Sequence, residues 1–306
     1  MKRWMIAGLL LGLIACNARS NQDETGKPRV VSTSTIIADL TERVGGAEIE
    51  HTGILQPGTD PHVYEPVPAD SIALEKADLV FYNGYNLEPG LIKLMDSAGV
   101  NAKKVPVGEV AKPLDAYKET RVVPDPHVWG DARNGIAMVK KIRDELIELS
   151  PEDKAIFTAN ADRTIAELES LDRWIKASIQ RIPPNKRHLV TTHDAFQYYA
   201  RAYGLTVTGT LIGISTEEQP SARTVKDLAL AIKKTGVPAI FAETTLNPAL
   251  ITTVAGEAGV KVSPRRLYSD SIGAEGSEGD SYRKMLAANT RAIVEELGGK
   301  VIPLKE

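Results

Sequence analysis

Two of the chain's five histidines occupy the third place of the same short frame, DPHVY at residues 60 to 64 and DPHVW at residues 125 to 129. Imidazole near neutral pH is a metal ligand or a proton carrier, so the repeated setting of His62 and His127 asks for a shared purpose. Proline fixes its own φ and pushes the preceding aspartate into an extended conformation, which leaves each imidazole on a stiff loop. Asp60 and Asp125, two places earlier, are placed to accept the second ring N–H and select the tautomer. Tyr64 and Trp129, two places later, are placed to shield the rings from bulk water.

His193 joins them as a third candidate. It closes the apolar run HLVTTH ahead of DAFQYYARAY, at the carboxyl end of an expected strand, where ligands collect in open α/β sheets. Asp270, in YSDSIG after VKVSP, holds a similar place, although a carboxylate in such a loop is also an ordinary turn residue. His51 inside EIEHTGIL and His188 at the start of RHLVTTH read as plain strand residues. Three imidazoles and one carboxylate suit a divalent transition metal. With a free histidine value near ~6.5, three protons would compete with the metal as pH falls below about 6.

Those residues need elements to position them. From residue 29, β-branched runs alternate with helical spacing and glycine stops: RVVSTST, IIADLTERVGG, EIEHTGIL, ADSIALEKA, DLVFYNG, LEPGLIKLMDSAG, KKVPVG. That order predicts an α/β lobe with a mainly parallel sheet flanked by helices. Residues 152 to 182 run without glycine or proline and predict one long helix of about 31 residues, roughly 45 Å. Alternation then resumes to the end of the chain. The predicted architecture is two α/β lobes, 29–150 and 183–306, joined by a linking helix at 151–182, with the metal in the cleft between them.

The start of the chain differs. Lys2 and Arg3 precede an apolar run from Met5 to Ala15, far short of the ~20 residues of a membrane span, which reads as an export signal. The run ends in LIAC at Cys16, the single cysteine. LIAC resembles a bacterial lipobox, so residues 1–15 are expected to be cleaved, Cys16 lipidated, and 16–28 to act as a polar tether. Removal of residues 1–15 leaves 35 basic and 40 acidic residues, net −5. That balance excludes a nucleic-acid reader. With no other cysteine, any metal site must be built from nitrogen and oxygen.

Over essentially the whole chain after the signal, the sequence is similar to the metal-binding solute-binding lipoproteins of bacterial ABC transporters, the cluster 9 family for manganese, zinc and iron. The resemblance is carried by GTDPHVYEPVPAD, ADLVFYNGYNLE, DPHVWGDARNG, the long helix, TTHDAFQYYARAYG, GISTEEQPSA and YSDSIGAEGSEGDSY. It implies a rigid two-lobed fold and one metal ion held by His62, His127, His193 and Asp270. It also implies a lipid-anchored, extracytoplasmic carrier, acting as a monomer, that hands manganese or zinc, with iron as a further cargo, to a membrane permease. Many manganese members have glutamate at the position of His193, and many zinc members carry a histidine-rich loop where this chain has KPLDAYKETRVVP. Two other readings compete. A zinc hydrolase would use Glu243 in IFAETT or Asp194 as its base, although HExxH is absent; Glu243 otherwise reads as a support for a ligand. A surface adhesin is the third.

Overall fold

The computed structural model describes residues 26–97, 100–118 and 120–304. The expected signal segment, Cys16 and most of the tether lie outside the described residues. Strand β1 (Arg29–Ser32) is the β-branched run RVVS, and helix α1 (Thr35–Gly45) begins where the Ser34 hydroxyl accepts the Ile37 N–H. Gly46 ends α1 at φ 56°, a backbone conformation open to glycine at little cost. The chain continues through β2 (Glu50–Gly53), α2 (Pro68–Lys76), β3 (Leu79–Tyr82), α3 (Pro89–Ser97) and β4 (Lys103–Pro106). These four strands pair in parallel in the order β2-β1-β3-β4, with Val30 opposite His51 and Phe81 opposite Val105.

An antiparallel hairpin follows, β5 (Asp115–Lys118) with β6 (Arg121–Pro124). Its turn has no Asn-Gly or Asp-Gly signal, and sequence periodicity did not distinguish it from a loop. Helix α4 (Ala132–Leu149) leads to α5 (Lys154–Ile179) through a 3₁₀ turn at Pro151–Asp153. The expected 31-residue rod is therefore 26 residues, about 39 Å, because Pro151 opens a tighter turn and the chain tightens again after Gln180.

The second lobe contains β7 (His188–Thr191), α6 (Gln197–Tyr203), β8 (Thr206–Thr210), α7 (Ala222–Thr235), β9 (Ala239–Ile240), α8 (Ala249–Ala258), β10 (Lys261–Val262) and α9 (Tyr282–Glu296). β7 pairs with β8 and β9 with β10, both in parallel, and the Phe241 N–H to Val190 carbonyl bond of 3.0 Å joins the two pairs. β7 and β9 thus adjoin at the point where the chain turns to opposite sides, the kind of crevice in which α/β folds hold ligands.

Helix α5 buries Phe157, Ala161, Thr164, Leu168, Leu171 and Ile175, alternating steps of four and three residues that make one apolar stripe. Against it a single cluster runs from Val30 and Phe81 of the first lobe to Leu189 and Phe241 of the second. The outer sheet faces have separate clusters, Val31, Val80 and Leu91 in one lobe and Val190, Ile240 and Val254 in the other. The lobes therefore share an inner core, and a wide hinge opening would expose it to water.

Leu171 is fully buried at the middle of this shared core, so Leu171→Ala is expected to cost about 2–5 kcal/mol through transfer and cavity terms. In urea titrations, circular dichroism and tryptophan fluorescence should shift together in one transition. Two separated transitions would show that the lobes fold independently of α5.

Candidate metal centre

The first lobe brings two histidines on loops. After β2 the chain turns through Pro61, and the Asp60 carboxylate accepts the His62 main-chain N–H at 2.9 Å. After β6, Asp125 Oδ1 accepts both the main-chain N–H of His127, at 2.9 Å, and its ring Nδ1–H, at 2.8 Å. That second bond places the proton on Nδ1 and turns the Nε2 lone pair inward. Asp125 thus bonds the ring of its histidine, whereas Asp60 bonds only the main chain. The aromatic neighbours also divide. Trp129 is buried 5.4 Å from the His127 ring and donates its indole N–H to the Ser269 carbonyl, whereas the Tyr64 hydroxyl bonds Asp70 at 2.9 Å.

The second lobe brings two more groups. β7 stops at Thr191, whose hydroxyl donates to the His193 carbonyl at 2.9 Å, so His193 lies just beyond the strand rather than at its last position. Glu243, past the end of β9, receives the His193 main-chain N–H at 2.8 Å and a short hydrogen bond from its ring Nδ1. With both oxygens on His193, Glu243 is a support for that ring and not a free base. Asp194 accepts from the Gln197 side chain at 2.7 Å. Asp270 follows Ser269, the residue to which Trp129 is bonded.

His62, His127, His193 and Asp270 are all buried, and each offers one donor atom within 4.8 Å of the others. His62 Nε2 lies 3.2 Å from His127 Nε2, and Asp270 lies 3.4 Å from His127 Nε2 and 3.2 Å from His193 Nε2. Donors around one tetrahedral ion with bonds of about 2.1 Å would stand roughly 3.4 Å apart. Both oxygens of Asp270 and Nε2 of His193 are buried without a hydrogen-bond partner among the described residues. His51 instead bonds Glu42 and Ser32, and His188 bonds Thr208. Asn83, Tyr198 and Ser271, which brace the site, carried no local sequence signal.

Burial, with His127 and His193 nearby, pushes the His62 value down to about 3 despite Asp270. Burial also opposes charge on His193, but Asp270 and Glu243 on either side outweigh it and hold His193 well above the usual histidine value. Burial would raise Asp270; the three imidazoles, His193 foremost, hold it well below the ordinary carboxylate range. Long-range ¹⁵N–¹H spectra of the metal-free protein should accordingly show His193 protonated on both nitrogens well above pH 6.5 and His62 neutral at that pH. Glu243→Gln should lower the His193 value. Matching titrations of His62 and His193 near 6.5 would contradict this account.

Comparison with known proteins agrees with the geometry. The family model of the periplasmic zinc-uptake complex component A matches residues 30–296. The chain is 35% identical over 300 residues to the metal ABC transporter substrate-binding lipoprotein FimA of Streptococcus parasanguinis, covering 96% of each. It is 33% identical over 301 residues to the manganese ABC transporter substrate-binding lipoprotein PsaA of Streptococcus pneumoniae, again 96% of each. Among solved structures, the periplasmic zinc-binding protein TroA of Treponema pallidum superposes with TM-score 0.84 at 32% identity, over 89% of this chain and 99% of that one. Fe(III)-bound YtgA of Chlamydia trachomatis gives 0.82 at 30% identity, over 90% and 100%. The chain belongs to the metal-binding, solute-binding lipoprotein family of bacterial ABC transporters, the family of zinc-uptake component A.

Proposed function

We propose that His62, His127, His193 and Asp270 together hold one divalent transition-metal ion, manganese or zinc, as cargo for an ABC importer. The observation that carries this reading is the convergence of four buried donors, with both Asp270 oxygens free of any hydrogen bond among the described residues. Relatives named for manganese and for zinc support both cargoes. An N₃O donor set binds zinc the more tightly of the two by the Irving–Williams order, whatever the cell supplies. The protein works outside the cytoplasm as a carrier, not a catalyst. Residues 29–150 and 183–306 form its lobes and 151–182 the connection, Cys16 is the lipidated anchor after loss of residues 1–15, and a single chain meets the membrane permease.

Native mass spectrometry of protein supplied with zinc or manganese should find one ion per chain. Alanine at His62, His127 or His193 should weaken binding by more than about 100-fold, beyond the usual cost of losing a supporting residue. His51→Ala and His188→Ala should leave it unchanged. Wild-type affinity in two of the three ligand variants would sink the assignment.

The pH dependence differs from that of three independent imidazoles. The folded value of His193 is raised, so its contribution to metal-free stability is fully present below about 6.5 and is lost as pH rises through the folded value. The metal must displace that proton, whereas His62, with a value of about 3, has none to lose near neutrality. The melting-temperature increment produced by metal should therefore already be shrinking at pH 7 and should keep falling through pH 6. A plateau from pH 8 down to pH 6, followed by a steep three-proton loss, would refute this assignment of the protons.

A further inference from the structure

Three of the four donors are held from behind. His127 is bonded to Asp125 twice, and its loop is tied down further by the Asn83 amide donating to the Pro126 carbonyl at 3.0 Å and the Tyr198 hydroxyl donating to the Asp125 carbonyl at 3.0 Å. His193 has both carboxylate oxygens of Glu243. Asp270 sits between Ser269, which takes the Trp129 indole, and Ser271, whose hydroxyl accepts the Gly58 N–H at 2.8 Å and lies 3.1 Å from the Thr35 hydroxyl.

His62 has a different kind of support. Asp60 fixes its main chain, but among the described residues nothing hydrogen-bonds its Nδ1, so its ring is restrained by its contacts with the other donors. It is also the one donor that lines a cavity of about 340 Å³, walled by Tyr85, Asn86, Lys118 and Val123 on the first lobe and by Ile214 and Ser215 on the second. At about 30 Å³ per water, an imidazole needs the room of roughly two or three waters, and the cavity offers several times that.

The cavity wall is built to stand. Tyr85 and Asn86 have φ of 50° and 58°, the only left-handed residues other than glycine among those described. Such conformations persist where the surroundings enforce them. Here the Tyr85 hydroxyl donates to the Ala111 carbonyl at 2.8 Å and its N–H to Glu109 at 3.2 Å. Across the mouth, Lys118 and Glu217 pair at 3.0 Å between the lobes.

We infer that His62 is the exchangeable ligand: its imidazole turns into this cavity to admit and discharge the ion, while His127, His193 and Asp270 remain a fixed three-donor platform. The inference rests on the proposed metal site. No ion reaches four buried donors unless something moves, and the shared core along α5 resists wide separation of the lobes. Rotation of one side chain breaks one metal bond and no supporting hydrogen bond to the ring. It leaves an open coordination position facing the cavity, where water or a receiving donor can enter before the remaining three bonds break.

The test is stopped-flow transfer of zinc from the loaded protein to excess EDTA, with uptake measured in the reverse arrangement. Val123→Trp and Ser215→Phe fill the cavity without replacing a proposed ligand. They should slow release and uptake by similar factors of ten or more, leaving Kd within about threefold. His62→Ala should release zinc more than 100-fold faster without slower uptake. Filled variants that bind zinc normally and exchange it at wild-type rates would overturn the gate and leave the metal site standing. Wild-type protein that binds no zinc at equilibrium would overturn the site itself, and the gate with it. Should the filled variants fail to fold, relaxation dispersion on ¹⁵N-histidine in the unmodified metal-free protein decides the matter. Microsecond-to-millisecond exchange confined to His62 supports the gate, and a His62 ring as static as His127 and His193 rules it out.

Discussion

Asp270 carries a negative charge in a place where few groups compensate it. Both oxygens are buried, and no main-chain N–H or hydroxyl of the described residues reaches them; only imidazole nitrogens stand near. Taking a carboxylate out of water costs several kcal/mol even after relaxation, and that cost is offset only by positive charge set close to it. His193 and His127 approach it at 3.2 and 3.4 Å, and a divalent ion would contribute more than either. The loop cannot ease the cost by turning the carboxylate outward, because Trp129 holds Ser269 and the first lobe holds Ser271. The surrounding fold therefore keeps the group in a state that favours the arrival of a cation.

That constraint requires a stiff frame, and the frame comes from an inner core shared by both lobes. Apolar residues on the outer sheet faces stabilise each lobe by itself, whereas those along α5 belong to both. Donors contributed by distant parts of the chain are thus prearranged at nearly the spacing of a coordination shell. Little ordering remains to be done on binding, and selectivity then rests on which ions accept that spacing and donor set.

Much of this was legible in the chain, and the parts that were not share a physical reason. The βα alternation showed because β-branched runs and glycine stops are local. The DPHV loops showed because proline stiffens its neighbours, and His193 because it follows an apolar run. Asp60 and Asp125 could not be told apart, since the local frames are nearly the same and their different bonds depend on what packs around each loop. Tyr64 and Trp129 diverged for the same reason: Asp70 at the start of α2 captures the tyrosine hydroxyl. The β5–β6 hairpin lacked a strong turn signal. The braces formed by Asn83, Tyr198 and Ser271 join residues 43, 73 and 213 positions apart, far beyond any sequence window.

The donor set also determines how the site responds to oxidants. Imidazole and carboxylate are absent from the ladder by which sulfur ligands pass to sulfenic acids, disulfides or sulfoxides. The chain's one cysteine is Cys16, taken up by the proposed lipid anchor, and the four residues at the cleft contain no sulfur. Capture and discharge of the ion are therefore independent of the thiol–disulfide balance outside the membrane.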